Sequence, residues 1–80
     1  MIFEIIKVEG YSGFRPDERP LSFSYAGKHH EVKAIIESWY EGSPIAGNPN
    51  YKFFKIVTDE GTEYLLRYNN RYRIWSICIS

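Results

Sequence analysis

The residues best suited to chemistry lie together near the C-terminus. There Arg67, Tyr68, Arg71, Tyr72 and Arg73 interleave cations with rings around Asn69-Asn70, with Tyr64 just upstream. Aromatic rings stack on nucleobases at about 1–3 kcal/mol each and guanidinium groups meet phosphates, so such a mixture can hold single-stranded nucleic acid. A structural role competes with this. Arg67 and Arg73 also suit cross-strand pairing with a carboxylate such as Glu63, and at least one of Tyr64 and Tyr68 must fill the core. If Asn69-Asn70 form a two-residue turn, Tyr68 and Arg71 face each other across it, with Arg67 and Tyr72 next along and on the opposite face. The five residues are therefore candidates for contact with nucleic acid or another partner, divided between two faces.

Other chemistry-bearing residues are less well placed. His29-His30-Glu31 invites a metal or acid/base reading, but neighbours on a strand point to opposite faces and no second His/Cys cluster has ligand spacing. A turn-flanking polar pair with His30 partly packed is the simpler expectation. Asp59 and Glu60 read as solvated turn carboxylates. Cys78, the single cysteine, has no internal partner for a disulfide and reads as a small buried hydrophobe in a reducing compartment. Nucleotide-binding, hydrolase, zinc-protease and redox signatures are absent from the sequence. No cofactor, no metal and no enzymatic activity are expected, although a small enzyme or ligand-binding regulatory domain without a recognisable motif remains the alternative. Two further segments could meet a protein: the charged, proline-bounded run Arg15-Pro16-Asp17-Glu18-Arg19-Pro20, as an extended edge, and Trp39-Tyr40, as the wall of a shallow groove. The first also reads as a stiff connection and Trp39 as a core anchor.

The elements that position these residues must come from a short chain. Eighty residues leave room for one domain spanning 1–80,, and a chain of this size hides only about 60–65% of its unfolded surface. Seven Tyr, five Phe and two Trp supply the apolar area that a core needs without disulfides, so disorder is not expected. Ten basic and ten acidic residues cancel, so no global field draws the chain to phosphates or anionic membranes. The balance is uneven: residues 51–80 hold five Lys/Arg against three Asp/Glu. The first residues lack a basic segment, and Glu4 and Lys7 interrupt their apolar run, so a cytoplasmic protein with no membrane contact is expected.

Residues 2–9, rich in Ile, Val and Phe and ended by Gly10, read as a strand. Two Pro and two Gly within residues 10–20 require an extended connection. Leu21–Tyr25 alternates with period two and Ala26-Gly27-Lys28 supplies a turn. Residues 29–41 fit two templates: Val32, Ile35, Ile36, Trp39 and Tyr40 have helical spacing, yet the segment is rich in β-branched and aromatic residues and follows a hairpin turn. The preferred reading is a strand with one bulge that turns both Val32 and Trp39 inward; a helix at 29–41, giving an α+β fold, stays open. After a Gly/Pro loop at 42–50 come three strands, 51–58, 62–68 and 72–79, with Gly61 and the Asn69-Asn70 pair expected to take the positive φ of tight turns. Six short strands in so short a chain imply a mostly β fold, a small SH3-like barrel. Phe23, Val32, Ile36, Trp39, Phe54, Ile56, Leu66 and Trp75 are its expected core.

Arg19-Pro20, Phe23, Gly27, Val32, Trp39, Phe54, Thr58, Gly61, Tyr64, Leu66, Tyr68 and Trp75 together resemble the pattern of a family of uncharacterised small bacterial β domains. Its members occur alone or appended to proteins resembling Y-family DNA polymerases. The pattern covers residues 19–77 and is departed from twice: at His30, where an aromatic is expected, and in the N-terminal strand, which has no counterpart in it. The resemblance implies a link to DNA damage tolerance and no catalytic residues. The reading of the whole sequence is a non-enzymatic binding or accessory module whose partner is a protein or single-stranded nucleic acid.

Overall fold

The computed structural model describes residues 1–10, 19–42 and 50–80. Six strands, β1 (Phe3–Gly10), β2 (Pro20–Tyr25), β3 (Lys28–Glu41), β4 (Tyr51–Thr58), β5 (Glu63–Asn69) and β6 (Ile74–Cys78), form a closed antiparallel barrel in sequence order. The small all-β barrel is thus as expected, and residues 29–41 are extended. Of the Arg15–Pro20 run only Arg19 and Pro20 fall among the described residues, and most of the 42–50 loop lies outside them. Among the described residues no helix is long and apolar enough to cross a membrane.

Closure depends on two strands whose successive parts pair with different neighbours. In β1, Phe3–Ile6 pair with β6 and Lys7–Gly10 with β2. In β3, Lys28–Glu31 pair with β2 and Val32–Glu41 with β4. A fourteen-residue strand can change partners only by bending, and β-bulges supply the bend. Here there are two register shifts, between Val32 and Ala34 and between Ile35 and Glu37. Each bulge adds one residue to the face count. Val32 and Ile35 therefore pack inward, against the core, while Ile36 is 50% exposed. The second bulge also reverses the expected orientation of Trp39, which pairs with Phe53 on the outside while its neighbour Ser38 pairs with Phe54. Ile36 and Trp39 are thus not core residues.

The core itself is Phe23, Phe54, Ile56, Leu66, Tyr68, Trp75 and Ile77, with Val32, Ile35 and Tyr64 among the residues packed on it. Trp75 packs on two of these rings, with centroids 5.4 Å from Phe54 and 5.1 Å from Tyr68. His30 joins this interior: its ring stacks on Phe23 at 5.1 Å and meets the edge of Tyr64 at 5.6 Å.

The turns show local chemistry in three forms. Ala26 (φ 54) and Gly27 (φ 76) join the paired residues Tyr25 and Lys28 in a two-residue turn with both φ positive, the type that matches strand twist. Asp59-Glu60-Gly61 forms a three-residue loop closed by Gly61 (φ 86), with Thr58 N donating to Thr62 O at 2.9 Å. The β5–β6 connection is longer than expected. Tyr68 pairs with Trp75 and Asn69 with Ile74, leaving four residues, 70–73, in the turn. Tyr68 and Arg71 are therefore not a facing pair. Nor do the asparagines supply the positive φ; Arg73 does, at 56°. Asn69 acts through its side chain, whose Oδ1 accepts from the backbone N–H of Arg71 at 3.0 Å and of Tyr72 at 3.2 Å.

Candidate functional site

Strand alternation distributes the candidate residues over two faces. Tyr68 points inward and is 3% exposed, so it belongs to the core rather than to a contact surface. Arg67 points outward and is partly buried, and Arg71, Tyr72 and Arg73 form the exposed turn beyond it. The Arg71 guanidinium lies 5.5 Å from the centre of the Tyr72 ring, and that ring is 61% exposed.

Around Arg67 the barrel carries a second aromatic cluster on its outside. Trp39, Phe53, Arg67, Ser76 and Ile5 pair in succession across β3, β4, β5, β6 and β1, making one outward row. The Trp39 and Phe53 rings stack at 5.4 Å with an interplanar angle of 2°. Phe3 meets Phe53 edge-on at 6.2 Å and Tyr51 lies 6.2 Å from Phe53. The Arg67 guanidinium carbon is 3.8 Å from the centre of the Phe3 ring and 4.4 Å from that of Tyr51. This collar covers Phe53, an outward residue that is only 7% exposed. The sequence signal for it was the adjacency of Phe53 and Phe54: on one strand two neighbouring rings cannot both enter the core.

The turn is tied to the start of β4. Asn70 N donates to Asn50 O at 3.1 Å and Asn50 N to Asn70 Oδ1 at 3.3 Å. This brings the last residues of β3, the first of β4 and the β5–β6 turn to one end of the barrel. Residues 38–42, 50–53 and 67–73 hold Lys52, Arg67, Arg71 and Arg73 against the carboxylate of Glu41, and the paired ends of β1 and β2 add Glu9 and Arg19 at the same end. The Glu41 carboxylate is occupied, accepting a hydrogen bond from Trp39 Nε1 at 3.0 Å. Lys52 Nζ sits 5.1 Å from the centres of the Tyr40 and Phe54 rings. Among the described residues, none of the four cations has an ion-pair partner; the pairs involve Lys28, His29, His30 and Lys55 instead. Arg67 and Arg73 thus do not pair with Glu63, whose partner is Lys55 at 3.8 Å.

The opposite end is acidic. Lys28 Nζ reaches Glu60 Oε2 at 2.6 Å, bridging the β2–β3 and β4–β5 turns, and this contact holds the Glu60 carboxyl below its usual value. His30 Nδ1 stands 3.6 Å from Glu60 Oε1, beyond hydrogen-bond reach, and is a buried nitrogen without a hydrogen-bond partner. His29 and Glu31, on the outer face, lie 3.0 Å apart. Among the described residues no three His, Cys, Asp or Glu side chains are grouped so as to hold a metal. A cleft of about 340 Å³ lies over β4 and β5, lined by Trp39, Lys55, Glu63, Tyr64 and Leu65. Its charged members already form the Lys55–Glu63 pair.

The geometry thus separates a basic, ring-bearing end from an acidic end of the same barrel. Comparison with protein-family models, curated proteins and solved structures finds no match to this chain.

Proposed function

We propose that this chain is a non-enzymatic binding module whose basic end contacts single-stranded nucleic acid. The observation that carries the reading is the grouping, at one end of the barrel, of Lys52, Arg67, Arg71 and Arg73, four cations that have no ion-pair partner among the described residues, with the half-buried Tyr51 ring and the exposed Tyr72 ring. Unpaired cations favour a polyanion, and the exposed Tyr72 ring offers a stacking platform that tolerates any base. The backbone adds support. Arg73 holds a positive φ that glycine or asparagine adopts more easily, and strain retained at an exposed position points to a use for that side chain. The resemblance to domains appended to proteins resembling Y-family DNA polymerases favours DNA as the strand.

Titration of a fluorescently labelled single-stranded oligonucleotide at low and moderate salt tests this. Saturable binding is expected at low salt, weakening with a log–log slope of about 0.7 per phosphate contacted. Arg71→Ala should reduce the slope by nearly one contact, whereas Tyr72→Ala should weaken binding and leave the slope unchanged. A wild-type protein that shows no saturable binding at low salt, where attraction is strongest, overturns the reading. The basic end would then have a structural or protein-contact role.

A further inference from the structure

The four cations of the basic end are not equivalent. Arg71 and Arg73 are on an exposed turn, where a guanidinium is hydrated and mobile. Arg67 is partly buried and held against two rings, 3.8 Å from the Phe3 centre and 4.4 Å from the Tyr51 centre. Ring contact of this kind fixes the plane of the guanidinium and removes water from its faces. Its N–H groups lie in that plane, so they remain the route to an acceptor. Among the described residues no carboxylate pairs with them. A cation stripped of part of its hydration and oriented in advance, with no anion of its own among the described residues, has the properties of a receptor for an external oxyanion.

Its surroundings fit that role. Phe53 and Ser76 flank Arg67 as cross-strand partners, and the guanidinium itself rests against the Phe3 and Tyr51 rings. The half-buried Trp39 indole stacks on Phe53 and continues the same row. We infer that Arg67 is a preorganised oxyanion site that binds one phosphate of the strand through two parallel N–H···O bonds, while Arg71 and Arg73 act as loosely held charges. The phosphate identity rests on the nucleic-acid reading; the receptor geometry does not. Planar two-point donation is something guanidinium provides and ammonium cannot, so Arg67→Lys should discriminate the site from its general charge.

The test combines NMR of the Arg67 Nε–Hε resonance in the wild-type protein with oligonucleotide binding by variants. Inorganic phosphate and a single-stranded oligothymidylate should each move that resonance saturably. Arg67→Lys should lose about tenfold in oligonucleotide affinity with a nearly unchanged salt slope, while Arg71→Lys should change affinity less than twofold. Thermal melting confirms that both variants are folded. A resonance that responds to neither ligand overturns the inference, as does an Arg67→Lys variant that binds oligonucleotide like wild type. A response to inorganic phosphate with no oligonucleotide binding keeps the oxyanion site and removes the nucleic-acid reading. A stronger response to a short poly-glutamate peptide than to the oligonucleotide would overturn the phosphate assignment and make a carboxylate the ligand.

Discussion

Two tryptophans of equal size illustrate how face decides consequence. Trp75 is 8% exposed and touches both Phe54 and Tyr68, so Trp75→Ala should cost about 3–5 kcal/mol and leave so small a domain largely unfolded. Trp39 covers Phe53 from outside. Its truncation loses a stacked pair, about 0.5–1.5 kcal/mol beyond the modest area it buries, so Trp39→Ala should remain folded. Equilibrium urea unfolding of the two variants separates them, and equal losses would place Trp39 in the core after all. His30 offers the opposite case. Its ring serves as an aromatic between Phe23 and Tyr64, yet Nδ1 is buried without a hydrogen-bond partner. His30→Phe keeps the stack and removes the unsatisfied nitrogen, and should raise stability by about 1 kcal/mol at neutral pH. A loss measured by the same unfolding experiment would mean that the Glu60 contact outweighs the unpaired atom.

Among the elements, the turns store strain in two places with different meanings. Ala26 and Arg73 both hold positive φ without being glycine, a conformation that costs an L-residue roughly 1–2 kcal/mol. Ala26→Asn should therefore stabilise the β2–β3 hairpin by somewhat under 1 kcal/mol and leave nucleic-acid binding unchanged. Arg73→Gly should stabilise the β5–β6 turn by about 1 kcal/mol while lowering oligonucleotide affinity, because it also removes a cation from the basic end. Parallel melting and binding curves for the two variants make the comparison. An Arg73→Gly protein that gains stability and binds as before would remove the functional explanation for the strain. The long strand β3 shows a different economy: its two bulges let one element serve two partners, and they determine that Trp39 joins the outer cluster rather than the core.

At the scale of the whole barrel, charge is sorted by end. The acidic end depends on Lys28–Glu60, and the depressed Glu60 carboxyl has Lys28 as its main cause. A carboxyl whose folded value lies below its unfolded one contributes stability at higher pH and loses it as pH falls through the folded value. Stability should therefore decline as pH drops below about 4.5, the ordinary value for this group, and that part of the decline should vanish in Glu60→Gln. Chemical denaturation between pH 3 and 6, which are roughly the limits at which a carboxyl changes charge, measures it. Identical acid limbs in the two proteins would show that the exposed pair contributes nothing, the usual fate of a surface ion pair.

Much of this molecule was determined by local sequence. Alternation in 21–25, the turn chemistry of Gly27 and Gly61, and a chain too short for two sheets lead to a six-stranded barrel, because strand period and turn geometry act over a few residues. The same locality identified Phe23, Phe54, Ile56, Leu66 and Trp75 as core and the Arg67–Arg73 segment as the place where cations meet rings. Tertiary structure decided the rest. How many bulges β3 needs depends on the bend between its two partner strands, so the orientations of Ile36 and Trp39 could not follow from their own neighbours. The length of the β5–β6 turn depends on the register of β5 against β6, which sets Tyr68 opposite Trp75 rather than Arg71. The Arg67 site itself joins Phe3 from β1, Tyr51 from β4 and an arginine from β5: three residues far apart along the chain, brought to one surface only when the barrel closes.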